Sequence, residues 1–173
     1  ILKFDRYISA TRYIGEIGLD FTTNDMNNRS IQEHIFSHIV HFCNEEGGKI
    51  LTIHSRRAEK RVMEILEELS SCRVILHWYS GPKALMDEAL KRGYYFSINH
   101  QMIQSVNGKK TVDSIPIERV LIESDAPFTK ELDKNYTIEF MEPIYQYLCD
   151  TRNLSEEELS VILKNNFRNL LTK

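Results

Sequence analysis

Arg12-Tyr13-Ile14-Gly15-Glu16-Ile17-Gly18-Leu19-Asp20 is the stretch that decides the fold. A short apolar run with one carboxylate in its middle and another at its end reads as a buried strand. A bare charge inside such a strand is too costly to bury without a counter-charge, hydrogen bonds or a metal. Glu16 therefore requires partners. Three later apolar runs end in residues of a suitable kind: Lys49-Ile50-Leu51-Thr52-Ile53 in His54, Val74-Ile75-Leu76 in His77, and Arg119-Val120-Leu121-Ile122, through Glu123, in Asp125. Each has a plainer explanation when taken alone. A histidine closing an apolar strand is more often a hydrogen-bonded core residue than a ligand, and Glu16 by itself suits an ion pair with Arg12 or Arg56. The joint pattern outweighs these explanations. In a parallel barrel the C-terminal strand ends converge on one mouth, where Glu16, His54, His77 and Asp125 together would make a donor set for divalent metal.

Working outward, Ile1, Leu2, Phe4 and Ile8 have the spacing of a helix end packed on one face. After a polar turn, Ser30-Ile31-Gln32-Glu33 matches a capping box, and Ile31, Ile35, Ile39 and Cys43 form the inner stripe of the helix that follows, stopped by Gly47-Gly48. A second strand, 49–54, leads to a helix over 57–71 with Ala58, Val62, Ile65, Leu66 and Leu69 inward; a third, 74–78, leads to a helix opened by Pro82 and ended by Gly93. The fourth strand is 94–99, followed by a short helix or irregular turn over 103–114 that Asn107-Gly108 interrupts. The fifth is 119–124, ended by Pro127. Two helices close the chain. In the last, Ser155 and Glu158 make a capping box, and Ile162, Leu163, Phe167 and Leu170 form the inner face. Strands alternating with helices mean βαβ units and a parallel sheet.

The length of 173 residues suits a single domain with a sizeable core. A net charge of −3 excludes a polycation, so any nucleic-acid contact must come from a local patch. Cys43, Cys72 and Cys149 are odd in number and in no paired spacing, which favours reduced thiols and a cytoplasmic setting. No apolar run has the length of a membrane span or the form of a signal peptide, so no membrane partner is expected.

Five segments, R-Y-I-G-E-I-G-L-D (12–20), I-H-S-R (53–56), L-H-W-Y-S-G (76–81), Y-Y-F-S-I-N (94–99) and L-I-E-S-D-A-P-F (121–128), resemble the successive signatures of TatD-type metal-dependent hydrolases, in order and over nearly the whole chain. The resemblance implies an α/β fold, the (β/α) TIM-type barrel of the amidohydrolase kind, with about five of its eight strands present in residues 1–173. It implies a deoxyribonuclease that uses two divalent metal ions (Mg, Mn or Zn), with DNA as substrate. Trp78 and the run S-I-N-H-Q-M-I (97–103) are similar, more narrowly, to the TatD-type nuclease of the Qat anti-phage defence cassette, which implies other Qat proteins as partners.

Matched residue by residue, the resemblance makes Glu16 the carboxylate bridging two metals, and His54 and His77 the ligands of the second metal. Asp125 becomes a ligand of the first that takes the proton of the attacking water. Glu123, two residues earlier on its strand, suits a partner held behind the ligands or a plain ion pair, and Asp20 a loop-orienting role. Arg56 suits a phosphate and Tyr79 a stacked base, against a surface arginine and an ordinary core tyrosine. His34, His38 and His41 share a helix face, but a mixed outer face explains them better than a metal site; His100 is better read as a loop histidine than a substrate contact. The sequence departs from the family in one respect: TatD-type enzymes begin with a strand carrying His-x-His, which supplies the first metal, and no H-x-H occurs here. The expectation is the C-terminal part of such a barrel, from a longer protein. Two other classes stay open, an ester hydrolase acting on D-aminoacyl-tRNA and a non-catalytic scaffold in a defence complex.

Overall fold

The computed structural model describes residues 1–129 and 138–172, which divide into two compact units, 1–94 and 95–173. In the first, helix α1 (Leu2–Tyr7) and a 3-10 turn lead to strand β1 (Tyr13–Gly18). Then come α2 (Met26–Glu46), β2 (Ile50–His54), α3 (Glu59–Ile65), β3 (Arg73–His77) and α4 (Lys83–Lys91). The strands run parallel, β1 on β2 and β2 on β3. Leu51, Ile53, Val74 and Leu76 are buried, as are Phe36, Val40 and Cys43 of α2. The second unit holds β4 (Tyr95–Ile98), α5 (Val106–Ser114), β5 (Val120–Ile122), α6 (Met141–Arg152) and α7 (Glu156–Thr172), with β4 and β5 parallel. Among the described residues no helix is long and apolar enough to cross a membrane.

Strand β1 is not the buried strand its composition suggests. Ile14 is buried, but Tyr13 is 62% exposed and the Glu16 side chain 44%. Among the described residues of its unit β1 pairs with β2 alone. The pairing also slips: Ile14 faces Leu51 and Ile17 faces Ile53, leaving Gly15 and Glu16 opposite the single Thr52. This is a bulge, which bends the strand and re-aims a side chain.

The start of α2 lies five residues before the expected capping box, at Asp25, whose Oδ1 accepts from the N–H groups of Asn27 (2.9 Å) and Asn28 (3.3 Å). Both sites have cap chemistry, and the earlier one wins by satisfying two donors at once. The buried stripe is correspondingly Phe36, Val40 and Cys43, while Ile31 and Ile35 are exposed. Helix α3 is shorter than expected and tightens into a 3-10 turn at Leu66–Glu68. Asn107-Gly108 does not interrupt α5 but forms its first turn, capped by Ser105 Oγ accepting from Gly108 N–H at 3.0 Å. The box of α7 forms, Ser155 N–H to Glu158 Oε2 at 2.8 Å and Glu158 N–H to Ser155 Oγ at 3.2 Å. Its buried face differs from expectation: Phe167 is exposed, and Asn166 is buried because its amide donates to the carbonyls of Ile117 (2.7 Å) and Val120 (2.8 Å).

Gly18 closes β1 with φ +143°, and a methyl group added there would stand 1.9 Å from the His54 carbonyl oxygen, which accepts from Leu19 N–H at 3.0 Å. Gly48 also has positive φ, +67°, but open space around it. Gly18→Ala should therefore destabilise the protein by about 3 kcal/mol or more, against about 1 kcal/mol for Gly48→Ala. Urea unfolding of both variants checks this; equal losses would show that the close approach to His54 does not matter.

Candidate metal centre

Parallel pairing puts the ends of β1, β2 and β3 side by side. Gly18 is in register with His54, and one step past the pair Ile53–Leu76 stand His54 and His77. Their rings lie 5.8 Å apart at 32°. Oε1 of Glu16 sits between them, 2.9 Å from His54 Nδ1 and 3.4 Å from His77 Nε2. His77 is 6% exposed and His54 30%, so solvent reaches the cluster through Glu16 and His54 rather than through His77. One ligand atom from each residue lies within 4.8 Å of the others, and among the described residues this is the one such group of three. Donors each about 2.0–2.2 Å from a common ion stand about 3.0–3.5 Å apart at right or tetrahedral angles, and these separations match that spacing. One carboxylate and two imidazoles thus fit a divalent cation such as zinc.

Asp20 stands behind His54, its Oδ2 3.5 Å from Nε2. Its Oδ1 accepts from Thr22 N–H (2.8 Å) and Thr22 Oγ1 (2.5 Å). Gln32 grips the backbone of Asp20 both ways, accepting from its N–H at 2.7 Å and donating to its carbonyl at 3.1 Å. Burial pushes the Asp20 carboxyl up, but the Thr22 hydrogen bonds and the neighbouring His54 outweigh it and hold the group below the usual aspartate value.

In the second unit Asp125 follows β5 in a left-handed turn, φ +50°, its carbonyl accepting from Phe128 N–H at 2.8 Å. Glu123, half-buried, accepts a short hydrogen bond from Ser97 Oγ and another from Asn99 Nδ2 at 3.2 Å. Ser97 and Asn99 are not among the site residues expected from sequence, although their i, i+2 spacing at the end of β4, with Asn99 one residue past it, is the available signal. Thr22 is a further unexpected member, and Asp20-Phe21-Thr22 is a recognisable side-chain turn.

Tyr79 does not have the expected role. It is 2% exposed, its hydroxyl donates to the Pro82 carbonyl at 2.8 Å, and burial drives its pKa upward, so no ring face is open to a base. The Arg56 side chain is exposed. His38 is bound to Asp5 (2.6 Å) and His41 lies 3.4 Å from Glu45, so the helix histidines do not gather a site among the described residues. His100, Tyr94 and Tyr95 are buried.

Residues 2–172 match the family model described as TatD related DNase. The human deoxyribonuclease TATDN3 is 25% identical over 98% of the chain, and an uncharacterized metal-dependent hydrolase of Methanocaldococcus jannaschii is 30% identical over 88%. The chain spans 63% of the first and 59% of the second, about three fifths of the curated relatives it matches. Of solved structures, a TatD homolog from Escherichia coli superposes with a TM-score of 0.79 at 19% identity, covering 98% of this chain and 67% of that one. A TatD family hydrolase from Entamoeba histolytica gives 0.74, also at 19% identity, covering 98% of this chain and 66% of that one. These likenesses show the fold, an α/β fold of the (β/α)-barrel kind, five of whose strands lie among the described residues.

Zinc titration of the metal-free protein should give a site that Glu16→Gln weakens at least about tenfold, because the carboxylate charge between the two imidazoles is lost. His54→Ala and His77→Ala should each weaken zinc by a comparable factor, because each removes one ligand. Calorimetry reads all three variants; wild-type affinity in either histidine variant would remove that histidine from the site.

Proposed function

The chain belongs to the TatD-related DNase family, and from that premise we propose that the protein carrying it is a metal-dependent deoxyribonuclease whose Glu16, His54 and His77 hold a divalent cation. The observation that carries this reading is the single Glu16 oxygen lying within 3.4 Å of both imidazoles. Two divalent cations, when bound, supply Lewis-acid activation of water and of the phosphodiester. The donors in the first unit suit one of them; the second rests on the family resemblance alone.

The chain's own residues divide the remaining work. Glu16 would bring negative charge to the bound cations and so lower their mutual repulsion. His54 and His77 would hold a cation through neutral imidazole nitrogens, each fixed by its strand end. Asp125, assigned from the motif L-I-E-S-D-A-P-F, takes the proton of the attacking water. Glu123 lies on the same strand end and is held by Ser97 and Asn99, which suits a residue that steadies the Asp125 turn from behind. Arg56 follows His54 closely and is exposed, which suits a phosphate of the bound strand. Three cysteines without a disulfide, of which buried Cys43 is pushed up to about 12, suit a reducing cytoplasm. Action beside other Qat proteins rests on Trp78 and the run 97–103. Its test is whether Asp125→Asn in the cassette abolishes protection against phage.

Cleavage of labelled DNA by the full-length protein should stop on chelation and return with added metal. Asp125→Asn should still bind DNA and metal while single-turnover cleavage drops by a factor on the order of 10² or more. Cleavage indifferent to chelator would overturn the mechanism, and near wild-type cutting by Asp125→Asn would remove that residue from its role. Preference for a misacylated tRNA over DNA in the same assay would move the substrate to an ester.

A further inference from the structure

We propose that Asp20 is the positioning residue for His54, fixing the ring so that Nε2 keeps its proton and Nδ1 faces the cation. The inference deepens the metal reading and rests on it. The geometry is asymmetric in a way that assigns each nitrogen. His54 Nδ1 lies 2.9 Å from Glu16 Oε1, on the side where His77 Nε2 also arrives, so it is the nitrogen that shares the cluster. Nε2 points away from the cluster at Asp20 Oδ2, 3.5 Å off. Both nitrogens face a carboxylate, which accepts and cannot donate; a cation drawn to Glu16 would take the lone pair of Nδ1, which leaves the ring proton on Nε2, where Asp20 accepts it.

Asp20 is built to do this and little else. Thr22 saturates Oδ1 with an N–H and an O–H, which leaves Oδ2 for the imidazole. Gln32, from the second turn of α2, locks the peptide groups on both sides of the Asp20 side chain. Leu19 N–H on the His54 carbonyl and Phe21 N–H on the Arg56 carbonyl, at 3.0 and 2.9 Å, hold the residues flanking Asp20 against the chain flanking the ring. The carboxylate is thereby fixed from its own loop, from the adjacent helix and from the strand it serves. Partners of this kind set the tautomer and orientation of a metal-bound histidine.

Substitution by asparagine gives a directional test. With Thr22 donating twice to the amide oxygen, the side chain introduced by Asp20→Asn would turn its NH₂ toward Nε2, a donor facing a donor, which opposes the proton placement that Asp20 imposes. The experiment uses the full-length protein loaded with zinc, ring ¹⁵N spectra of His54 assigned through His54→Gln, and calorimetric zinc titration. In wild type, His54 should bind through Nδ1 with a slowly exchanging proton on Nε2. Asp20→Asn should lose that proton signal and weaken zinc about 10- to 100-fold, and Asp20→Ala should weaken it while leaving the Nε2 proton in fast exchange. Zinc on Nε2 in wild type would overturn the proposal, whatever the variants do, as would wild-type affinity and an unchanged proton signal in Asp20→Asn or Asp20→Ala. Absence of zinc binding by wild type would instead defeat the metal reading itself, so the two failures are distinguishable.

Discussion

One carboxylate oxygen held between two imidazoles is the constraint on which the first unit depends. Glu16 Oε1 comes within 2.9 and 3.4 Å of His54 and His77 only because three parallel strands end at the same level and the first of them is bulged. Regular alternation would keep one residue opposite one. With Gly15 and Glu16 together facing Thr52, the strand bends and Glu16 is re-aimed beside its neighbours. Gly15 belongs to the same device, since a methyl group there would lie 2.9 Å from the Thr52 Cβ.

The surroundings of that oxygen decide what the cluster can be. A carboxylate 44% exposed does not need a metal to survive, so burial alone does not call for a cation at Glu16. Convergence does. His77 is almost wholly buried, His54 is largely shielded, and both turn a nitrogen to the same oxygen. Ion pairs need one partner. Two imidazoles on one oxygen, at ligand spacing, suit a divalent cation, and it is on this spacing that the proposed activity stands.

The second unit applies a similar economy to a different carboxylate. Glu123 meets the hydroxyl of Ser97 and the amide of Asn99, both of them buried, and Asn99 Oδ1 in turn accepts from Met102 N–H at 3.3 Å. Buried polar groups of this kind must be fully bonded to be tolerated, so the end of β4 is tied to the residues just before Asp125. Asp125 itself adopts a left-handed conformation, which a non-glycine residue takes only when its neighbours enforce it.

Much of this was legible in the sequence because the signals are local. Strands announce themselves as short apolar runs, the histidines stand at the ends of those runs, and the Ser155–Glu158 box needs only residues three apart. The family motifs follow from the same local constraints. What local sequence could not decide was which neighbour covers each face. Ile31 and Ile35 are as apolar as Phe36 and Val40, yet only the latter pair is buried, and Tyr79 is a core residue rather than an open ring. Asp25 and Ser30 are equally good caps until the backbone shows which one satisfies two donors. The slip between β1 and β2, and which nitrogen of His54 faces Glu16 and which faces Asp20, belong to tertiary structure alone. They depend on register between segments far apart in the chain, and pairing across such a distance is fixed by packing and hydrogen bonds that no single stretch contains.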